Sequence, residues 1–157
     1  MEAAAKPILI AYDGSDTAKR AIRESAELLG PRQALVVTVW DPTVGYDVGT
    51  MTDDTTLALV NTEEAEEFDD ELKASTQRTA KEGEELAKSS GFDAESLVVP
   101  DEGNVSDAIS DLARKHGSAA IVVGSRGHKG FLARLEGSTA TGVLKRAPCP
   151  VIVVHDD

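Results

Sequence analysis

The chain has 157 residues, enough for one domain with a sizeable core, and 41% of them are hydrophobic, which excludes intrinsic disorder as a description of the whole. Lysine and arginine number 16 against 28 acidic residues, and the formal net charge of −12 excludes a broad basic face for nucleic acid. The single cysteine, Cys149, excludes a disulfide framework and any multi-cysteine metal site.

The first apolar run, Lys6 to Tyr12, is too short for a signal peptide or a membrane span. It reads instead as a buried strand that ends in the turn Asp13-Gly14-Ser15. Ala18, Ala21, Ile22, Ser25 and Leu29 then recur at helical spacing, and Gly30-Pro31 stops that helix. Ala34 to Trp40 is a β-branched strand closed by Asp41-Pro42. From Asp41 to Asn61 no period is visible, so this run is expected to be a functional flap or a mobile segment.

A long helix is predicted over Thr62 to Ser89, with Ala65, Phe68, Leu72, Thr79, Leu86 and Ala87 near one face. Gly83 inside it costs on the order of 1 kcal/mol relative to alanine, which argues against continuity at that point. Ala94 to Val99 is a third strand. Asn104 is a good N-cap for a helix whose inner face is Val105, Ala108, Ile109 and Leu112. Ala119 to Val123 is a fourth strand, Gly137 to Arg146 a last helix with Lys145 and Arg146 in its final turn, and Val151 to Val154 a fifth strand. Strands that alternate with helices imply a single α/β domain, 1–157, with a parallel sheet, right-handed crossovers and helices on both faces.

Acidic residues concentrate between Glu63 and Glu71. The plain reading is a solvated helix face, favoured near the N-terminus of a helix by its dipole. A docking patch for a basic partner and adaptation to a salt-rich, halophilic cytoplasm are the alternatives, the latter because salt screens self-repulsion.

Two strand ends carry unusual residues, and in a doubly wound sheet ligands sit beyond such ends. One is Asp13-Gly14-Ser15. The other is Gly124-Ser125-Arg126-Gly127-His128-Lys129-Gly130, which leads on to Gly137-Ser138-Thr139 at a helix start. Gly124 and Gly127 are expected to let the backbone approach a ligand and to adopt conformations closed to other residues. Free N–H groups at the helix start suit an anion. Arg126, Lys129 and Arg134 make this loop locally basic in an acidic chain, opposed only by Glu136. Together these features point to a phosphate-bearing ligand. No phosphate-loop motif with its Lys and Ser/Thr, no dinucleotide fingerprint after the first strand and no hydrolase elbow occurs in the sequence.

The pattern G-x2-G-x9-G-[ST], met as Gly124, Gly127 and Gly137-Ser138, resembles the ATP-binding motif of the universal stress protein family. The opening strand into Asp13-Gly14-Ser15 and the closing run Lys145 to Val154 resemble that family too. The resemblance implies an open, doubly wound five-stranded parallel sheet of order 3-2-1-4-5, a Rossmann-like three-layer sandwich. It implies ATP as ligand, alone or with Mg2+. Asp13 would face the adenosine part, beside Ser15, with Ala11 and Val39 lining the base pocket and Val123 and Gly124 at the base or ribose. Arg126 and Gly127 would border ribose and phosphates, and Gly137, Ser138 and Thr139 would hold the phosphates. Two departures from the family pattern stand out: Ala11 where proline is frequent, and Ala140 where a phosphate-contacting hydroxyl is often found.

The expected protein is cytoplasmic and regulatory, a homodimer paired through the edge strand Val151 to Val154, with no nucleic-acid or membrane partner and at most slow ATP hydrolysis. No catalytic residue is assigned, because Asp13 lacks an evident partner histidine. A nucleotide-dependent transferase or phosphatase and a nucleotide-free interaction protein are the rivals. His116 reads as a helix C-terminal cation, His128 as a phosphate contact or a solvated side chain, and His155 as part of a polar tail. Cys149 reads as a packing residue. For Trp40, packing and stacking on adenine are both open.

Overall fold

The computed structural model describes residues 6–40, 62–100, 104–125 and 138–155, and of 62–69 and 138 only the backbone. The 41–61 segment, for which a flap or a mobile run is expected, lies outside them. The elements are β1 (Ile8–Ala11), α1 (Asp16–Leu29), β2 (Gln33–Trp40), α2 (Thr62–Ser90), β3 (Asp93–Pro100), α3 (Val105–His116), β4 (Ala120–Gly124), α4 (Ser138–Arg146) and β5 (Val151–Val154). Element order and type match the sequence reading, and most ends move by one residue.

The five strands form one parallel sheet of order β3-β2-β1-β4-β5. Side chains alternate across it, as a strand requires. Ile8, Ile10, Tyr12, Val36 and Val122 pack against Ala18, Ala21 and Ile22 of α1 and Ala87 of α2. Leu9, Val37, Ile121 and Val123 pack on the other face against Ile109, Leu112 and Ala113 of α3 and Ala140 and Val143 of α4. β1 lies at the centre, and Ile8, Leu9 and Ile10 are fully buried. That explains an unbroken apolar run where a half-exposed strand would alternate.

Local signals set the helix ends. Ser15 caps α1, its Oγ accepting from the Ala18 N–H at 3.1 Å, and the Gly30 N–H closes the other end on the Ala26 carbonyl. Asn104 caps α3 as expected, and Arg114, Lys115 and His116 occupy its last turn, where the dipole favours cations. Among the described residues no helix is long and apolar enough to cross a membrane.

Gly83 does not interrupt α2. A β-carbon there would stand 2.6 Å from Tyr12 Cδ1 and 2.9 Å from Val36 Cγ1, so glycine is what lets the helix backbone lie on the sheet. Gly142 of α4 serves the α3–α4 contact in the same way, since its added β-carbon would lie 2.6 Å from Ser106 Cβ. Ser106 is itself fixed, with its N–H and its hydroxyl both donating to Asn104 Oδ1. An Arg146–Asp107 ion pair and a bond from Arg114 to the Arg146 carbonyl complete that junction.

β3 is an edge strand, and α2 covers part of it. Glu84 Oε2 accepts from the Ser96 N–H at 3.0 Å and from its hydroxyl at 2.6 Å, while Oε1 meets Lys88 and Lys81. Such cover blunts a strand edge that would otherwise pair with another chain. The bonds from Lys88, Ser96 and Lys81 hold the Glu84 carboxyl down at about 2. A carboxyl depressed in the folded state adds stability above its unfolded pKa and loses it as pH falls toward the folded one. The wild type is therefore expected to lose on the order of 1 kcal/mol more than Glu84→Gln between about pH 5 and pH 2, the lysines being solvent-screened. Urea midpoints at pH 5 and pH 3 check this; parallel losses in the two proteins would refute it.

Candidate functional site

The strand order reverses direction between β1 and β4. The chain leaves β1 for α1 on one face of the sheet and leaves β4 toward α4 on the other. The region beyond their carboxyl ends is the usual place for a ligand in such a sheet.

Three of the expected pocket residues meet there. Ala11 ends β1 and pairs in register with Val37, two residues before Val39, while Ile10 pairs with Val122, one before Val123. Ala11, Val39 and Val123 all belong to the α3–α4 side of the sheet. Val123 is 2% exposed, whereas Ala11 and Val39 are half-buried. The result is an apolar patch across β2, β1 and β4 at one end of the sheet.

Asp13 follows directly. Its Oδ1 accepts from the Ser15 N–H at 2.9 Å, the Asx turn that an Asp-Gly-Ser sequence favours. Gly14, with φ of 84°, supplies the backbone conformation that closes the turn. Ser15 then commits its oxygen to the cap of α1, so its role in this loop is first of all structural.

Gly124 departs from expectation. It is the last residue of β4, and among the described residues positive φ belongs to Gly14, Gly30, Gly91 and Gly117. Unusual backbone freedom is therefore not used at Gly124. Its carbonyl end is fixed by the ladder, Gly124 pairing with Val154 and the Ser125 N–H donating to the Val154 carbonyl at 2.8 Å.

Thr139 lies half-buried in the first turn of α4, next to Ala140, which is 6% exposed in the core. Position 140 thus faces the sheet and its methyl packs with Val143, which accounts for a residue without a hydroxyl there. Arg126, Gly127 and Gly137 lie outside the described residues, as does the side chain of Ser138. So do His128, Lys129, Arg134 and Glu136. Lys145 and Arg146 occupy the last turn of α4 as expected.

Trp40 resolves toward packing. It follows Val39 and so takes the opposite face, where Lys73 Nζ of α2 stands 5.8 Å from its ring centroid. Cys149 is half-buried, and burial pushes its thiol pKa up, away from the reactive thiolate. Among the described residues no three His, Cys, Asp or Glu side chains converge as a metal site would need.

One residue of the loop escaped sequence reasoning. Tyr12, between Ala11 and Asp13, is 2% exposed on the α1–α2 side and donates its hydroxyl to Glu82 Oε1 at 2.5 Å. Burial raises its pKa first, and the bond to Glu82 adds to the shift. The carboxyl of Glu82 is lowered in return, by the Tyr12 bond and then by Lys19. The available signal was Gly83: a glycine inside a helix marks a close approach to something large.

Comparison with known proteins agrees with this layout. A universal stress protein of Thermus aquaticus is 32% identical over 153 residues, covering 96% of this chain and 98% of its own. Among solved structures, the hypothetical protein MJ0577 superposes with a TM-score of 0.73 at 21% identity, covering 99% of both chains, and shares the fold. The universal stress protein from Archaeoglobus fulgidus in complex with dAMP is 27% identical, with a TM-score of 0.56 over 97% of this chain and 99% of that one. The sequence profile of the universal stress protein family matches residues 4–155, nearly end to end. By that match and by its strand order, the chain belongs to the universal stress protein family.

Proposed function

We propose that this protein is an ATP-binding regulatory dimer that holds its nucleotide beyond the ends of β1 and β4 and turns it over slowly at most. The observation that carries the reading is the meeting of Ala11, Val39 and Val123 on one side of the sheet, directly beside the Asp13 turn. An apolar patch with a carboxylate at its rim suits a purine base joined to a ribose, whose hydroxyls a carboxylate accepts from. The Archaeoglobus relative in complex with dAMP supports an adenine nucleotide as the ligand class.

The step from monophosphate to ATP rests on the spaced glycines Gly124, Gly127 and Gly137 with Ser138 and Thr139 behind them, a backbone suited to several phosphates. Arg126 would border the ribose and phosphates. Mg2+ would ride on the phosphates, in keeping with the lack of a convergent carboxylate cluster among the described residues. The dimer reading rests on β5, an apolar edge strand that among the described residues pairs only with β4. Action in the cytoplasm, and in a salt-rich one, remains part of the same reading of the −12 charge.

The deciding experiment is to purify the protein, denature it and identify the nucleotide released, then to titrate stripped protein with ATP, AMP and cAMP. ATP in the released fraction, or a preference for ATP on titration, is the expected result. Rapid turnover would move the protein to the enzymes, and binding of none of the three nucleotides would refute the reading.

A further inference from the structure

The chain between Ala11 and Asp13 is held from the far side of the sheet. Tyr12 donates its N–H to the Val37 carbonyl at 2.8 Å, which fixes its backbone to β2. Its ring is buried against the backbone of α2, in the space that Gly83 leaves open. Its hydroxyl donates to Glu82 Oε1 at 2.5 Å, and the same oxygen meets Lys19 Nζ of α1 at 3.5 Å. One carboxylate therefore joins the end of β1, helix α1 and helix α2.

The turn that follows has its own bonds, Ser15 N–H to Asp13 Oδ1 and Ala18 N–H to Ser15 Oγ. These set the shape of the turn. The bridge through Glu82 adds a polar tie between the turn and α2.

We infer that Tyr12 and Glu82 are positioning residues that tie α2 to the Asp13 turn, so that the placement of α2 sets how well the site accepts its nucleotide. The inference rests on the nucleotide reading of that site for its second half only; the tie itself is a property of the free protein. Because coupling between two parts is reciprocal, nucleotide at the Asp13 turn would in the same measure steady α2.

The test uses the full chain and three variants, Tyr12→Phe, Glu82→Ala and Glu82→Gln. The first removes only a hydroxyl and keeps the ring against Gly83. Glu82 is surface-lying, its side chain 56% exposed, so its loss leaves no buried charge. In nucleotide-free protein, amide exchange at Ser15 and Ala18 is expected to quicken about tenfold in Tyr12→Phe and Glu82→Ala, with α3 amides unchanged. ATP affinity is expected to fall about three- to tenfold in the same two variants. Glu82→Gln keeps an acceptor oxygen and is expected to recover most of both effects.

Unchanged exchange at Ser15 and Ala18 in both variants would overturn the tie, whatever ATP does. Faster exchange at these amides with unchanged ATP affinity would overturn the positioning role, as would a general rise that includes α3. If the wild type binds no ATP, the nucleotide reading fails, and the exchange result still decides whether the tie exists.

Discussion

Replacing Gly83 by valine is expected to lower stability by about 3 kcal/mol, at the upper end for an overpacked core. On helix propensity alone the substitution gains about a few tenths of a kcal/mol, since valine ranks somewhat above glycine inside a helix, and alanine would gain roughly 0.8–1.0 kcal/mol. Packing reverses the sign. The first added carbon would sit 2.6 Å from Tyr12 Cδ1, 2.9 Å from Tyr12 Cγ and 2.9 Å from Val36 Cγ1. Neither neighbour can yield cheaply. Val36 is fully buried at the middle of β2, and the Tyr12 ring is held by its hydroxyl at Glu82 and by its backbone at Val37.

The helix must therefore lift from the sheet over this turn and give up part of the contact between Ala87 and the core. Even Gly83→Ala is expected to destabilise, by about 1 kcal/mol net of the propensity gain. Urea unfolding of both variants against wild type checks the sign. A stabilised Gly83→Ala would mean that propensity governs this position and that the close approach is tolerated.

The same glycine shows where the sequence is legible and where it is not. Alternation of strands and helices could be read because the elements carry an apolar run or stripe: Ile8 to Ile10 in β1, Ile109 and Leu112 in α3, Val151 to Val154 in β5. Helix ends were legible where a side chain or a glycine of positive φ does the capping, as at Asn104, Gly30 and Gly117. Gly83 was misjudged as a weakness of α2, because its reason is Tyr12, just past β1 and 71 positions earlier in the chain. The bridge from Tyr12 to Glu82 is non-local in the same way.

Of the residues expected in the candidate site, the structure brings Ala11, Val39 and Val123 to one face of the sheet, and their contact with a ligand belongs to the proposed reading. The Asp13 turn was legible too, because an Asx turn is a local property of three residues. The unusual backbone expected at Gly124 is not used, since it ends β4 as an ordinary strand residue, and its approach to a ligand belongs to the proposed reading. What the 126–137 loop does for a ligand is stated by the motif spacing alone, so that part is settled by substitution.

Gly127→Val is expected to weaken ATP binding by about 100-fold or more while leaving thermal stability within a degree or two of wild type. On the proposed reading, the backbone at Gly124, Gly127 and Gly137-Ser138 meets the phosphates directly. Hydrogen bonds from N–H groups to phosphate oxygens hold only over roughly 2.7–3.2 Å. A branched side chain on the approaching backbone keeps the ligand back by more than that tolerance. Two lost bonds to a charged group, each worth about 1.5–3 kcal/mol, account for the predicted factor.

Long-range attraction will not compensate. The chain carries 28 acidic residues against 16 basic ones, so a displaced polyphosphate meets repulsion from most of the surface. Among the described residues both cores are built from the strands and the helices that flank them, so the melt is expected to survive the substitution. Calorimetric titration with ATP, beside a thermal melt of the same sample, separates the two effects. Lost affinity with a preserved melt is the expected pair, and affinity within twofold of wild type would take Gly127 out of the site.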